Sequence, residues 1–328
     1  MLKIACFDLG YAEEDYAITN AKKYGGGAVV GRYFKQLDNF HLYAPEKSFQ
    51  NLNQEDRREN CFILPQEAMD YIKQGYPIDS LINNINDYDI ILHGHTHFSF
   101  TRTTNFKKPI VHWAGFGGDC GHPFNNYILL YRESFAPHYG EKHKYVKIGK
   151  HVPKDFQKND QRDGVFQCTQ HVQVFDTISI AKECIKYGIK GYFAGPIRDY
   201  PLMDFIDNKN TFYLGILSEQ EKLDYTKKAA LYTLPLTWDV AFNQSAIEAN
   251  GLGTPILTRK VGWFNEYVKD GVNGFFYDGN NFIDIYNKAK NIDQKACWLS
   301  AKEYSIEEMT KTFYKAFEEI HKEWYNSI

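Results

Sequence analysis

Short apolar runs alternate with amphipathic stretches along nearly the whole chain, the pattern of an α/β protein built on parallel sheets. The first run is 2–7. Gly25-Gly26-Gly27 then leads into AVVGRYFKQL, whose Val29, Val30, Tyr33, Phe34 and Leu37 recur at helical spacing. FHLYAP predicts the next strand, 45–62 a long polar loop, 66–74 and 78–86 helices, 88–92 and 109–113 strands, 125–138 a helix, and KYVKIG a sixth strand. The polar stretch GKHVPKDFQKNDQRD (149–163) breaks the rhythm and places a domain boundary near residue 155.

The rhythm then restarts. VFQCT, GYFAGP, TFYLG, ALYTLP and TPILT read as strands, and FDTISIAKECIKYG, EQEKLDYTKKA and NQSAIEANG as helices. From about 305 to 325, Met309, Phe313, Phe317, Ile320 and Trp324 form one apolar stripe on a long helix. The expected architecture is two doubly wound Rossmann-like domains, 1–155 and 156–300, facing each other across a cleft, with a helix at 301–328 packing back across the junction.

The 328 residues fit about two domains at roughly 100–200 residues each. With 43% apolar and 24% charged residues the chain folds rather than staying disordered. Aromatic residues make up 16%, which fits either stacking platforms for sugars or bases or a compositional bias toward Tyr and Phe; most of them read as core. A net charge of −3 excludes the overall electrostatic footprint of a dedicated nucleic-acid binder. No apolar run reaches the 18 or so residues that cross a bilayer, and MLKIACFDLG has an acid where a signal peptide would stay apolar. Six cysteines without a CxxC pair fit reduced thiols, so the expected location is the cytoplasm.

The segment 231–278 carries the most chemistry. A strand ends at Pro235, and a helix starts near Asn243 or Ser245, either of which can cap it. Open backbone amides at that start, on Phe242, Asn243, Gln244 and Ser245, suit a phosphate or diphosphate. Glu248, one turn inside, is placed to accept hydrogen bonds from sugar or ribose hydroxyls. An ordinary capped helix with a solvated glutamate explains the same residues.

The run Ser245-Ala246-Ile247-Glu248-Ala249, then Gly253-Thr254-Pro255-Ile256, Gly262, Glu266-Tyr267-Val268 and Asp270-Gly271-Val272-Asn273-Gly274-Phe275, resembles the carboxyl-domain signature of retaining GT-B glycosyltransferases, family 4 in particular. Gly25-Gly26, Asp89-Ile90-Ile91, Pro109-Ile110-Val111, the segment 148–153, Ala194-Gly195-Pro196 and Phe212-Tyr213-Leu214-Gly215 are similar to further parts of that family. The resemblance implies a nucleotide-diphosphate-sugar donor on the second domain, an acceptor on the first, and transfer to an acceptor hydroxyl with retention and without a bound metal or other cofactor. It implies donor contacts from Gly25, Gly26, Gly27, Gly215, the start of the 242–245 helix and Glu248. The acceptor it implies is a glycan or lipid-linked glycan, with modified nucleic acid as a lesser possibility. Two departures stand out. Of the family's two spaced glutamates Glu248 matches the second, while Val240, preceded by Asp239, stands at the first. The basic pair that faces the diphosphate is replaced by Gln170 and His171, with Arg198, Arg259 and Lys260 as substitutes.

His93, Gly94, His95, Thr96 and His97 form a GHTH segment similar to one metal-ligand stretch of calcineurin-like metallophosphoesterases. That reading, a metal-dependent phosphoesterase, lacks the early Asp-x-His, with Asp8-Leu9-Gly10 in its place, and lacks any Asn-His. In the glycosyltransferase reading His95, with His112 and Asp119, faces acceptor or donor as a catalytic candidate. A third reading is a glycosyltransferase-like binding protein without turnover. Finally, Lys142, Lys144, Lys147, Lys150, Lys154, Lys158 and Arg162 with Tyr145 and Phe156 make a basic stretch. It reads as a solvated face or as a peripheral surface for an anionic membrane or nucleic acid.

Overall fold

The computed structural model describes residues 2–8, 39–45, 61–64, 84–94, 108–113, 127–130, 143–147, 149–169, 171, 173–198, 200–239 and 242–328. The chain forms two compact units, Met1–Lys147 with Met309–Ile328 (unit 1) and Ile148–Glu308 (unit 2).

Unit 1 holds a parallel sheet of β1 (Ile4–Asp8), β2 (Phe40–Pro45), β3 (Cys61–Leu64), β4 (Ile90–Gly94), β5 (Ile110–Trp113), β6 (Tyr127–Leu130) and β7 (His143–Tyr145). Their order is β3-β2-β1-β4-β5-β6-β7. Successive residues Ile90, Ile91 and Leu92 are all buried, as in a strand covered on both faces. Two elements differ from expectation. The run YILL inside the expected helix at 125–138 is strand β6, and the polar loop at 45–62 gives way to β3. Periodicity does not separate so short an apolar run into helix or strand, and pairing with β5 settles β6.

Unit 2 repeats the plan with β8 (Val165–Cys168), β9 (Gly191–Ala194), β10 (Thr211–Tyr213), β11 (Leu231–Leu234), β12 (Ile256–Thr258) and β13 (Gly274–Phe276), all parallel, in the order β10-β9-β8-β11-β12-β13. Helices α1 (Thr177–Tyr187), α2 (Glu219–Lys228), α3 (Gln244–Gly251), α4 (Phe264–Tyr267), α5 (Phe282–Lys290) and α6 (Gln294–Lys302) surround it. The period-2 geometry of the strands divides the core. Phe166, Tyr232 and Ile256 join one apolar cluster with Ile247 of α3, while their neighbours Val165, Leu231 and Leu257 join another with Ile180 of α1 and Phe282 of α5.

Residues 148–155, expected to close the first domain, pack with unit 2. Lys150 N donates to Tyr304 O at 3.0 Å, Trp298 Nε1 donates to Pro153 O at 2.9 Å, and Val152 is buried. Helix α7 (Ile306–Asn326) starts in unit 2 and belongs to unit 1 from Met309. Its stripe of Met309, Phe313, Phe317 and Ile320 is fully buried, as the spacing predicts. Polar ties reinforce it: Lys147 N donates to Thr312 Oγ1 at 3.1 Å, and Lys144 pairs with Glu323 and, at 3.7 Å, with Glu319. Among the described residues no helix is long and apolar enough to cross a membrane.

In both sheets the strand order reverses beside the first strand, at β1/β4 and at β8/β11. Ligands of open α/β sheets bind at the carboxyl ends of strands flanking such a reversal.

Candidate functional site

In unit 2 the reversal brings together the ends of β8 and β11 and the helices that follow. Asn243 is extended (φ −137°), and its Oδ1 accepts from Ala246 N at 3.0 Å, so Asn243 rather than Ser245 caps α3. The amides of Gln244 and Ser245 have no carbonyl one turn back within the helix, and the helix dipole adds positive potential there. Phe242, half-buried, anchors the approach by meeting Trp263 edge-on at 6.4 Å. Trp263 itself is buried in the core and stacked on Tyr267.

Glu248 is 7% exposed and lies among cations. Lys222 Nζ, from the first turns of α2, is 2.8 Å from Oε1 and 3.1 Å from Oε2, and Lys150 Nζ is 3.2 Å from Oε2. Lys222 also bonds Glu219 at 2.9 Å. Burial alone pushes the Glu248 carboxyl up, but Lys150 and Lys222 outweigh it and hold it below its ordinary value. The glutamate is therefore an ionised, internally neutralised carboxylate rather than a solvated surface group. Its Oε1, 2.8 Å from Lys222 Nζ, is closed off from solvent and accepts no directed hydrogen bond among the described residues. Removing one partner from so buried a pair costs about 3–5 kcal/mol, because the remaining charge is stranded.

The cations expected to replace the missing basic pair are disposed differently. Arg259 Nη2 is 2.5 Å from Asp176 Oδ2, and its guanidinium lies over the Tyr277 ring at 5.2 Å. Arg198 and Lys260 are exposed, the latter 5.9 Å from the Phe276 ring centroid. His171 is buried: Nε2 bonds Ala194 O at 2.9 Å and Nδ1 meets Thr177 Oγ1 at 3.1 Å. A carbonyl only accepts, so a proton sits on Nε2. Burial pushes its pKa down to about 4. Gly215 (φ +70°) accepts from Gly195 N at 2.8 Å, and a Cβ on it would meet nothing within 4 Å, so its outer side is open space. Gly195 (φ +112°) is confined instead; a Cβ there would lie 2.0 Å from Thr169 O.

In unit 1, His93 and His112 are register partners at the carboxyl ends of β4 and β5, next to Phe7 and Asp8 of β1. Gly25, Gly26, Gly27, His95, His97, Asp119, Gln170 and Val240 lie outside the described residues. Among the described residues no group of three or more His, Cys, Asp or Glu side chains is arranged to hold a metal ion.

Several charges of the basic stretch have partners within their own unit. Lys144 is used by Glu319 and Glu323, Lys150 by Glu248 and Lys158 by Asp160. Arg162 is buried, donating to Gly253 O at 3.1 Å and Ala289 O at 3.3 Å. Sequence reasoning missed Lys222 altogether. A signal was present: a lysine near the start of a helix opposes the dipole, which favours acids there, and so asks for a partner elsewhere.

Comparison with known proteins fits this geometry. No curated protein matches the chain in sequence. Among solved structures, Anabaena Alr3699/HepE in complex with UDP is similar at a TM-score of 0.71 and 13% identity, over 97% of this chain and 100% of that one. AviGT4, a glycosyltransferase involved in avilamycin A biosynthesis, gives 0.70 and 12% over 98% of each chain. A glycosyltransferase from Rickettsia africae ESF-5 gives 0.70 and 12% over 97% of this chain and 98% of that one. The family model "Glycosyl transferases group 1" matches residues 205–319, which include α2, α3, Lys222 and Glu248. The chain thus has a segment that matches the glycosyl transferases group 1 model, within the two parallel-sheet α/β units of the GT-B fold.

Proposed function

We propose that this protein is a retaining glycosyltransferase that moves a sugar from a nucleoside-diphosphate donor to the hydroxyl of a glycan or lipid-linked glycan. The observation that carries the reading is the match of residues 205–319 to the group 1 family, a segment that holds the buried, ionised Glu248 one turn inside α3. The UDP and UDP-glucose complexes of the Anabaena protein support a donor of this class.

In the reaction, the bond from the anomeric carbon to the diphosphate oxygen breaks and its electron pair stays on the phosphate. The acceptor oxygen forms the new bond and gives up its proton. Charge therefore grows on the leaving diphosphate, where the Gln244 and Ser245 amides and the exposed cations Arg198 and Lys260 stabilise it. These groups supply positive charge without a metal ion, so transfer should persist in EDTA. Unit 1 contributes the acceptor side, with His95, His112 and Asp119 as its candidate catalytic residues, and adds the Gly25–Gly27 loop as a further donor contact. We place the reaction in the cytoplasm, peripheral to a membrane where the acceptor is lipid-linked; the described cysteines Cys6, Cys168, Cys184 and Cys297 are all free thiols.

The test is calorimetric titration with UDP, GDP and ADP, followed by donor hydrolysis assays with their sugars. One nucleotide should bind, and Glu248→Ala should weaken it about tenfold or more, the scale of a charge-assisted hydrogen bond. Unchanged affinity in a folded variant would remove Glu248 from the donor site.

A further inference from the structure

Tryptophan carries a large apolar surface, and folded chains bury most of it. Trp263 follows that rule at 3% exposure, stacked on Tyr267. Trp298 meets Phe156 at 6.1 Å and donates Nε1 to Pro153 O, and Trp324 lies 6.1 Å from His321. Trp238 departs from it. It is 68% exposed, and among the described residues its indole has neither a ring contact nor a hydrogen bond.

The backbone that carries this indole is fixed. Leu236 is buried, and Thr237 donates both its N–H and its Oγ1–H to Val174 O, at 2.9 and 3.2 Å. Val174 belongs to the short 3-10 turn Gln173–Phe175 that follows β8, so the chain entering Trp238 is tied across the strand-order reversal between β11 and β8. Beyond Trp238, Phe242 packs on the same apolar cluster as Leu236, and Asn243 caps α3. A large aromatic face is thus held in water at the carboxyl end of β11, on the segment joined to the start of α3, where open α/β sheets take their ligands.

The face of an indole carries negative π charge, and hydrogens bound to carbon carry the opposite sign. A pyranose ring offers such C–H bonds from its flat side while its hydroxyls point outward, so it covers an aromatic face without stripping water from its polar groups. The neighbours suit a ligand with a polar rim, since Thr237 and Asp239 are both exposed.

We propose that Trp238 is a binding residue for the sugar of the donor, its indole stacking on one face of the pyranose ring that is transferred. The inference rests on the nucleotide-donor reading above: with the diphosphate at the Gln244 and Ser245 amides, the sugar is the next group of the donor. The contact adds affinity for the sugar and none for the bare nucleotide.

The experiment is calorimetry on the full chain with UDP, GDP and ADP, then with the glucose, galactose, mannose and N-acetylglucosamine conjugates of whichever nucleotide binds tightest. The quantity read is the affinity of the tightest conjugate divided by that of its bare nucleotide. In Trp238→Ala this ratio should fall about tenfold, with the affinity of the bare nucleotide unchanged, whereas Trp238→Tyr should lose less than about threefold. Both variants should melt at the wild-type temperature, because the side chain is exposed. Tryptophan emission supplies a second reading. The component lost in Trp238→Phe should move to shorter wavelength when the conjugate binds and stay in place when the nucleotide binds. A ratio unchanged in Trp238→Ala, or nucleotide binding with no conjugate bound, overturns the inference alone. Equal losses for nucleotide and conjugate would put the base on the indole and overturn it as well. Binding of none of the three nucleotides overturns the donor reading with it.

Discussion

His171 occupies the segment where a cation is expected to face the diphosphate, and its surroundings make it a neutral core residue instead. Its folded-state pKa of about 4 lies below the ordinary 6.5, so the unfolded chain takes up the proton first. Stability from this ring is full above pH 6.5, falls as pH drops toward 4, and levels off below. The window amounts to roughly 3 kcal/mol. Thermal melts of the wild type and His171→Gln between pH 4 and 7 should therefore converge as the pH falls; parallel curves would mean that His171 is not buried neutral. Arg259 keeps its charge but is tied up by an ion pair. Asp176, the residue before α1, has φ +42° and holds the guanidinium. A cation legible in the sequence as free is thus already engaged, because its partner lies 83 positions away and no local pattern announces it.

Helix α3 joins the two kinds of information. Its start, its length and the position of Glu248 follow from NQSAIEANG, and the structure selects Asn243 as the cap. Asn243→Ala should lower stability by about 1 kcal/mol, read as a drop in the urea midpoint at unchanged slope. It should also weaken nucleotide binding, since the first turn then frays; loss of stability with unchanged affinity would separate the helix start from the site. Strands β8 to β12 and helices α1 to α3 were legible because each combines a run of fitting length with a clear stop, such as Gly188 after α1. Strands β3 and β6 were not, because four apolar residues without turn signals are ambiguous until a neighbouring strand pairs with them. The candidate site was legible in its backbone, the helix start and Gly215, and in Glu248. Its lysines were hidden, since contacts between Lys150, Lys222 and Glu248 depend on how three separate segments pack.

Across the whole chain, the two units have separate sheets, and within unit 2 two apolar clusters cover the two faces. Nucleotide should act mainly on the second unit. Hydrogen exchange with saturating UDP, or whichever nucleotide binds, should slow in α2, α3 and the end of β8 while β1 and β4 exchange as before. Slowing confined to β1 and β4 would move the donor site to unit 1. Because a ligand of the folded state raises stability with its concentration, the melting temperature should also climb with nucleotide beyond saturation.

Unit 2 is one continuous stretch, Ile148–Glu308, while unit 1 is completed only by Met309–Ile328. During synthesis the usual amino-terminal-first order is therefore inverted. The second unit has its entire sequence available first, while the sheet that began at Ile4 waits for Met309, Phe313, Phe317 and Ile320 to complete its core. A nascent chain at that stage carries a complete second unit and a first unit still lacking its last helix, which is the interval in which a chaperone would have most to do.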